Sequence, residues 1–379
     1  MLTGGNAVLS ATGLLRRRVL SCLALSIFLV FPLAGRQARA YAGTPVFIPL
    51  EPGLELAQAV VRGGPDDREA LFTMLRIDPL LHTFTLCMAS EEGRARSLPD
   101  WSAQRDLRAG INASMYLPDG ITSTGYMRNG ESVNNENAGP RLGAFFAAGP
   151  HRRAGIAPGK ATGNVTGGAM RNTAGGATGD TKGDAAVHAP GDAAGNATSE
   201  AARLCPERPG GVCGQRGAPS AAFPAACILE RDAPGMPGIL EEYAVVVQNF
   251  RFMDKEGNAL WPEGGRAAGM AVVAEDEAGR ILFILCRDAL TAERFAAALK
   301  DFSLALRTVM YVEGGAQAGI FLRVDNARES VSAAGFAGAS SFPAPDGMVY
   351  VWKGRSSLLN ADGDPRGALP NVLAVQRRR

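Results

Sequence analysis

"AAGMAVVAEDEAGRILFILC", residues 267–286, is two aliphatic runs on either side of the polar hinge Glu277-Ala278-Gly279. Runs of this length and composition, separated by a short turn that carries glycine, predict a β-hairpin. The flanking segments extend the pattern. "YAVVVQNFRFMD" (243–254) predicts a strand leading to a turn at "KEGN" (255–258), while "LRTVMYV" (306–312) and "GIFLR" (319–323) predict strands separated by "EGGAQA" (313–318). Thr291 is placed to cap a helix over "AERFAAALKDF" (292–302), whose Phe295, Leu299 and Phe302 fall on one face.

Further toward the N-terminus, "LELAQAVV" (54–61), "ALFTMLRID" (70–78), "HTFTLCMA" (82–89) and "AGIN" (109–112) have strand length and composition, and "PDWSAQRDL" (99–107) starts a short helix. Many short strands with few helices predict an α+β fold, a single domain around a mostly antiparallel or mixed sheet. Its two blocks, about 44–149 and 223–376, are read as one domain, 44–376. No aromatic residue lies between Phe146 and Phe223, and residues 151–222 are dominated by Gly, Ala, Thr, Asn and Pro. That composition cannot bury enough apolar area to offset chain entropy, so a disordered insertion in a surface loop is expected.

Residues 1–40 read as an export signal: Arg16-Arg17-Arg18, the apolar run "VLSCLALSIFLVFPLAG" and the small-x-small site Ala38-Arg39-Ala40. The expected location is periplasmic or extracellular, with an uncleaved membrane anchor the lesser alternative. Removing this segment leaves 34 basic against 37 acidic residues, and no basic stripe with interleaved aromatics is present. Nucleic acid is therefore not expected as a partner. The mature cysteines, Cys87, Cys205, Cys213, Cys227 and Cys286, match no zinc spacing. Cys205 and Cys213 are spaced to close a small loop, whereas Cys87 and Cys286 end apolar runs and read as buried.

Only three histidines occur, His82, His151 and His188, and two of them lie at or inside the insertion. A histidine-based triad or metal site is thus disfavoured. Polar candidates instead cluster at strand ends beside glycines: Asn112, Asp119, Asn249, Arg251, Arg266, Glu275, Asp276 and Glu313. Asp119-Gly120 and Glu275-Asp276 also fit ordinary turns. Glu313 stands out, because it follows the largely apolar "TVMYV" and precedes Gly314-Gly315, which leave the backbone open to a ligand. Arg266, among small residues at the start of a strand, suits phosphate binding.

The order "NASMYLPDGITSTGYMRNG" (112–130), "NNENAGPRLGAFF" (134–146), "VVVQNFRF" (245–252) with the hairpin, and "VMYVEGGAQAGIFLR" (309–323) resembles the phosphodiester glycosidase domain. Its most specific pieces are matched by Asn112, Met115, Tyr116, Gly125 and Tyr126, and by a strand-end acidic-Gly-Gly. Where the family has Asp-Gly-Gly, this chain has Glu313-Gly314-Gly315, with Ala316-Gln317-Ala318 following. The resemblance implies an exported hydrolase that cleaves a sugar-1-phosphodiester. It gives Glu313 and Asp119 the acid/base or nucleophile roles and the phosphate to Arg266 with Arg251 or Arg141. It gives the sugar to Asn112 and Asn249, with Tyr116, Gly314 and Gly315 around them. No cofactor is assigned, and no motif supports a cation site. The expected partner is a carbohydrate or sugar-phosphodiester, with membrane contact only through an uncleaved signal. The rival reading is a non-catalytic envelope protein binding a glycan or phosphate-bearing polymer through the same pocket.

Overall fold

The computed structural model describes residues 43–62, 69–104, 106–151, 223–261, 264–325, 336–356 and 361–378. The expected export signal, residues 152–222 of the insertion and the Cys205–Cys213 pairing lie outside the described residues.

The strands divide among three sheets rather than joining one. The first runs β1 (Ile48–Glu51), β2 (Leu54–Arg62), β3 (Glu69–Ile77), β12 (Ile281–Leu290), β11 (Ala268–Asp276), β13 (Leu306–Gly314). The second runs β7 (Ser132–Asn135), β6 (Met127–Asn129), β10 (Tyr243–Asn249), β8 (Ala144–Pro150), β9 (Ala226–Glu230). The third runs β15 (Ser340–Ala344), β16 (Gly347–Lys353), β14 (Gly319–Asp325), β5 (Ala109–Asn112), β19 (Asn371–Arg377), β4 (His82–Met88). A short pair, β17 (Arg355–Ser356) with β18 (Ala361–Asp362), completes the set. Every pairing among the described strands is antiparallel.

Strand alternation explains how three sheets make one body, since successive side chains leave a strand on opposite faces. One face of each sheet feeds a common core: Leu75, Phe283 and Val312 from the first, Phe146 and Val247 from the second, Ile111, Leu322 and Leu373 from the third. The opposite faces are capped separately. Helix α4 (Ala292–Asp301) covers the first sheet with the buried Phe295, Leu299 and, just past its end, Phe302; Thr291 caps it by accepting from the amide of Arg294. Helix α2 (Leu98–Gln104) covers the third sheet through Leu98 and Trp101, and α3 (Met236–Glu241) covers the second through Met236. The remaining helix, α1 (Ala89–Glu92), is a single turn after β4.

The 267–286 hairpin forms as expected, with Ala274 opposite Leu282 and the turn held by Asp276, which accepts from the backbone and side chain of Arg280. The expected long strand 243–254 instead ends at Asn249. Beyond it the chain crosses to β13, where Phe250 accepts from Tyr311 N (3.0 Å) and Phe252 N donates to Val309 (2.8 Å). This crossing carries the second sheet to the edge of the first, beside Glu313.

Candidate functional site

Glu313 lies at the end of β13, opposite Ala271 of β11. A bulge just before it breaks the register, so that Tyr311 faces Val272 and Val312 is the extra residue. Glu313 is 9% exposed, and among the described residues its carboxylate accepts a hydrogen bond from the neighbouring amide of Gly314 (2.9 Å). Burial favours the neutral acid; the Gly314 amide and the positive charge of Lys353 offset only part of that, leaving the group at about 7.

The following loop is built to stay tight. Gly315 has φ of 64°, the left-handed region that glycine takes without cost, and starts the 3₁₀ turn Gly315–Gln317. Gly314 is required for space, because a Cβ there would strike the hydroxyl of Tyr311. The carbonyl of Gln317 then accepts twice, from Asn112 Nδ2 (3.2 Å) and from Lys353 Nζ (2.8 Å). Asn112 Oδ1 accepts from Gly319 N (2.7 Å), so both ends of this buried amide hold the loop.

Lys353, the last residue of β16, was not among the residues expected from sequence. It is 5% exposed, opposite Gly319, and burial lowers its ammonium to about 8 despite the charges of Glu313 and Asp364. Its visible clue is the pattern already noted at Glu313: "GMVYVWKG" (347–354) is an apolar strand ending in one charge followed by glycine. Tyr311 is a second addition, a buried phenol pushed up by burial and then by the Glu313 charge. Tyr116 is half-buried and is raised by the same two causes in the same order, which puts it within electrostatic reach of Glu313.

Glu313, Gly314, Gly315, Asn112 and Tyr116 therefore lie in one neighbourhood, with Lys353 and Tyr311. Asn249 sits one step away: it is fully buried, donates to Ala113 O (3.1 Å), and keeps Oδ1 without a partner among the described residues. The other expected residues are placed differently. Asp119 is exposed in the 117–122 turn, where the Thr122 hydroxyl, then the Ile121 and Thr122 amides, hold its carboxyl below the usual range. Its oxygens shape the rim turn, and no described contact links them to Glu313. Arg141 is exposed in the 139–142 turn. Arg251 pairs with Glu230 (3.1 Å) and donates to Met253 O (3.2 Å). Arg266 is exposed, just ahead of the β11 end that runs beside Gly314.

Glu275 and Asp276 are buried rather than solvated, and both are structural. Glu275 accepts from Ile228 N and from Arg307 (each 2.8 Å), tying β9 to β11, while Asp276 holds the hairpin turn. His82 is buried against Glu51 at 3.0 Å and His151 is exposed. Cys87 and Cys286 are fully buried, as expected. No group of three His, Cys, Asp or Glu side chains placed to hold a metal ion occurs among the described residues, and none of their helices is long and apolar enough to cross a membrane.

No protein-family model matches the chain. No curated protein matches it either. Among solved structures it is similar to the catalytic domain of zebrafish N-acetylglucosamine-1-phosphodiester alpha-N-acetylglucosaminidase, auto-inhibited by its pro-peptide, at 11% identity and a TM-score of 0.48, covering 88% of this chain and 89% of that one. It is also similar to a hypothetical protein from Synechocystis, at 11% identity and a TM-score of 0.43, covering 88% of this chain and 64% of that one. Both likenesses are distant.

Proposed function

We propose that the chain is an exported hydrolase that cleaves the glycosidic bond of a sugar-1-phosphodiester, with Glu313 as its acid/base group. The observation that carries this reading is a buried carboxyl at a strand end, held at about 7, whose charge is felt by Tyr116 and Tyr311 and which is followed by the side-chain-free Gly314-Gly315. A group that titrates close to neutrality is suited to giving and taking a proton in one cycle. The sequence motifs around Asn112, Tyr116 and Glu313 support the same class of reaction.

In this mechanism the bond from the anomeric carbon to the phosphate oxygen breaks. Water supplies hydroxide to the carbon, and its proton ends on the released phosphomonoester. Glu313 handles that proton. Lys353 tunes Glu313 by charge and offers a cation toward the phosphate, a task that Arg266 shares from the start of β11. Asn112 holds the loop beneath the sugar, and the open acceptor of Asn249 suits a bound hydroxyl or an ordered water. Asp119 is assigned to the rim turn rather than to proton transfer. The test is release of free sugar and phosphomonoester, measured separately, from a panel of sugar-1-phosphodiesters by wild type and by Glu313→Gln. Equal turnover by the two proteins would remove the assignment.

A further inference from the structure

A second concave feature lies beside helix α2, on the outer side of the third sheet. It is a cavity of about 420 Å³ whose walls include Arg94, Arg96, Ser97, Asp100 and Arg366. Two chain segments form it, and they are locked together. Arg96 N donates to Leu369 O (3.3 Å), Leu369 N donates back to Arg96 O (2.8 Å), and the indole of Trp101 donates to the same Leu369 carbonyl (3.0 Å).

Three guanidinium groups meet in this space under different restraints. Arg96 lies over the ring of Trp101, 5.6 Å from its centroid, and reaches Glu92 at 3.3 Å, yet its Nε is buried without a partner. Arg366 lies over Phe342, also at 5.6 Å. Neither Arg94 nor Arg366 has a carboxylate partner among the described residues, although both are exposed. The one carboxylate on the wall, Asp100, already accepts the hydroxyl of Ser97 (2.6 Å). Arg96 is met by Glu92, whereas the charges of Arg94 and Arg366 on the same wall have no carboxylate partner among the described residues and are favoured by an anion joining them.

We infer that this cavity binds a phosphate group. Each guanidinium presents five N–H donors in a planar fork, and three forks offer more donors than the two oxygens of a carboxylate can accept. The three or four oxygens of a phosphate ester match them better, and Arg–phosphate bonds are charge-assisted. Stacking on Trp101 and Phe342 fixes two of the forks in advance, which lowers the ordering cost of binding. Chain neighbours of the lining residues approach the Glu313 site from this side. Leu98, next to Ser97, packs where Gly319 leaves room beside the Lys353 stem, and Asp364, two residues before Arg366, is felt by Lys353. An anionic chain seated on the arginines would thus lie along the same 361–369 segment that borders Lys353.

The test is binding, not turnover, so it stands independently of the role given to Glu313. The full chain is titrated calorimetrically with inorganic phosphate and, separately, with a glycerol-phosphate polymer. The double variant Arg94→Gln, Arg366→Gln alters only exposed side chains and keeps the Arg96–Trp101 stack. Saturable binding by wild type, weakened about tenfold or more in the double variant as expected for lost charge-assisted hydrogen bonds, supports the site. Near-ultraviolet circular dichroism of Trp101 checks that the fold is intact, and Arg96→Lys, which keeps the charge but loses the fork, should weaken binding as well. Polymer binding that free phosphate displaces identifies a polymer as the source; binding of free phosphate alone identifies a small ester. Absence of saturable binding to either probe, or equal binding by the double variant, overturns the inference.

Discussion

Among the buried glutamates near strand ends, Glu51 and Glu313 have opposite fates. Glu51, at the end of β1, accepts from His82 Nε2 (3.0 Å), Arg108 (3.0 Å) and Arg377 Nε (3.0 Å), and both arginines also reach Asp325. Burial alone would raise its carboxyl, but the His82 and Arg377 hydrogen bonds and the two positive charges outweigh burial and hold it at about 2. Glu313 is buried too, yet it has one backbone amide and a lysine acting at a distance, and it rises to about 7. Burial does not set these two carboxyls apart; the degree of compensation does.

The comparison can be broken most directly at Glu313. Glu313→Gln should cost about two to four orders of magnitude in turnover, the usual worth of a positioned acid/base group, with folding intact. A turnover loss that only tracks loss of folded protein would place Glu313 with Glu51 as structural. Glu51→Gln is the converse. It leaves Arg108 and Arg377 under-compensated and should lower unfolding free energy by roughly 3–5 kcal/mol in urea titrations, with the pH profile of turnover unmoved.

Stability against pH separates the two groups by sign. The folded value of Glu51, about 2, lies below its ordinary 4.5, so its contribution is complete above pH 4.5 and is lost as pH falls toward 2. Glu313's about 7 lies above 4.5, so the folded state holds that proton more tightly and stability is lost as pH rises from 4.5 to 7. Each shift corresponds to something on the order of 3 kcal/mol. Unfolding measured across pH should lose its decline between pH 4.5 and 7 in Glu313→Gln and its decline below pH 4.5 in Glu51→Gln. A swap of these outcomes would invert the assignment.

Smaller changes sharpen the picture. Lys353→Met removes the positive charge beside Glu313 and should move the alkaline limb of the turnover profile to higher pH, while Lys353→Arg should restore it. Asp119→Asn should barely alter turnover, and faster amide exchange at Ile121 and Thr122 would report the loosened turn. A large catalytic loss there would return Asp119 to the acid/base role.

Much of this was legible locally. The hairpin 267–286 and the capped helix after Thr291 depend on residues close in sequence, so composition and spacing reveal them. The partition into three sheets does not, because pairings such as β14 with β5 and β12 with β3 join distant segments, and no short-range rule chooses between them. The same limit governs the site. Glu313 was visible because an acid interrupts an apolar run before two glycines, whereas Lys353 gains its meaning only when β14 sets Gly319 opposite it. Asp119 already fitted a turn in the sequence, and its exposure, against the burial of Glu313, places it on the rim.

One placement in the third sheet bears on how the chain is made. β19, residues 371–377, is an interior strand, lying between β5 and β4, and its Arg377 also closes the ring of charges around Glu51. During synthesis β4 and β5 emerge long before their shared neighbour, with the strands of the other sheets made in between. The sheet therefore closes only once β19 has been made, and a ribosome-bound intermediate lacking it would carry an open gap rather than a ragged edge.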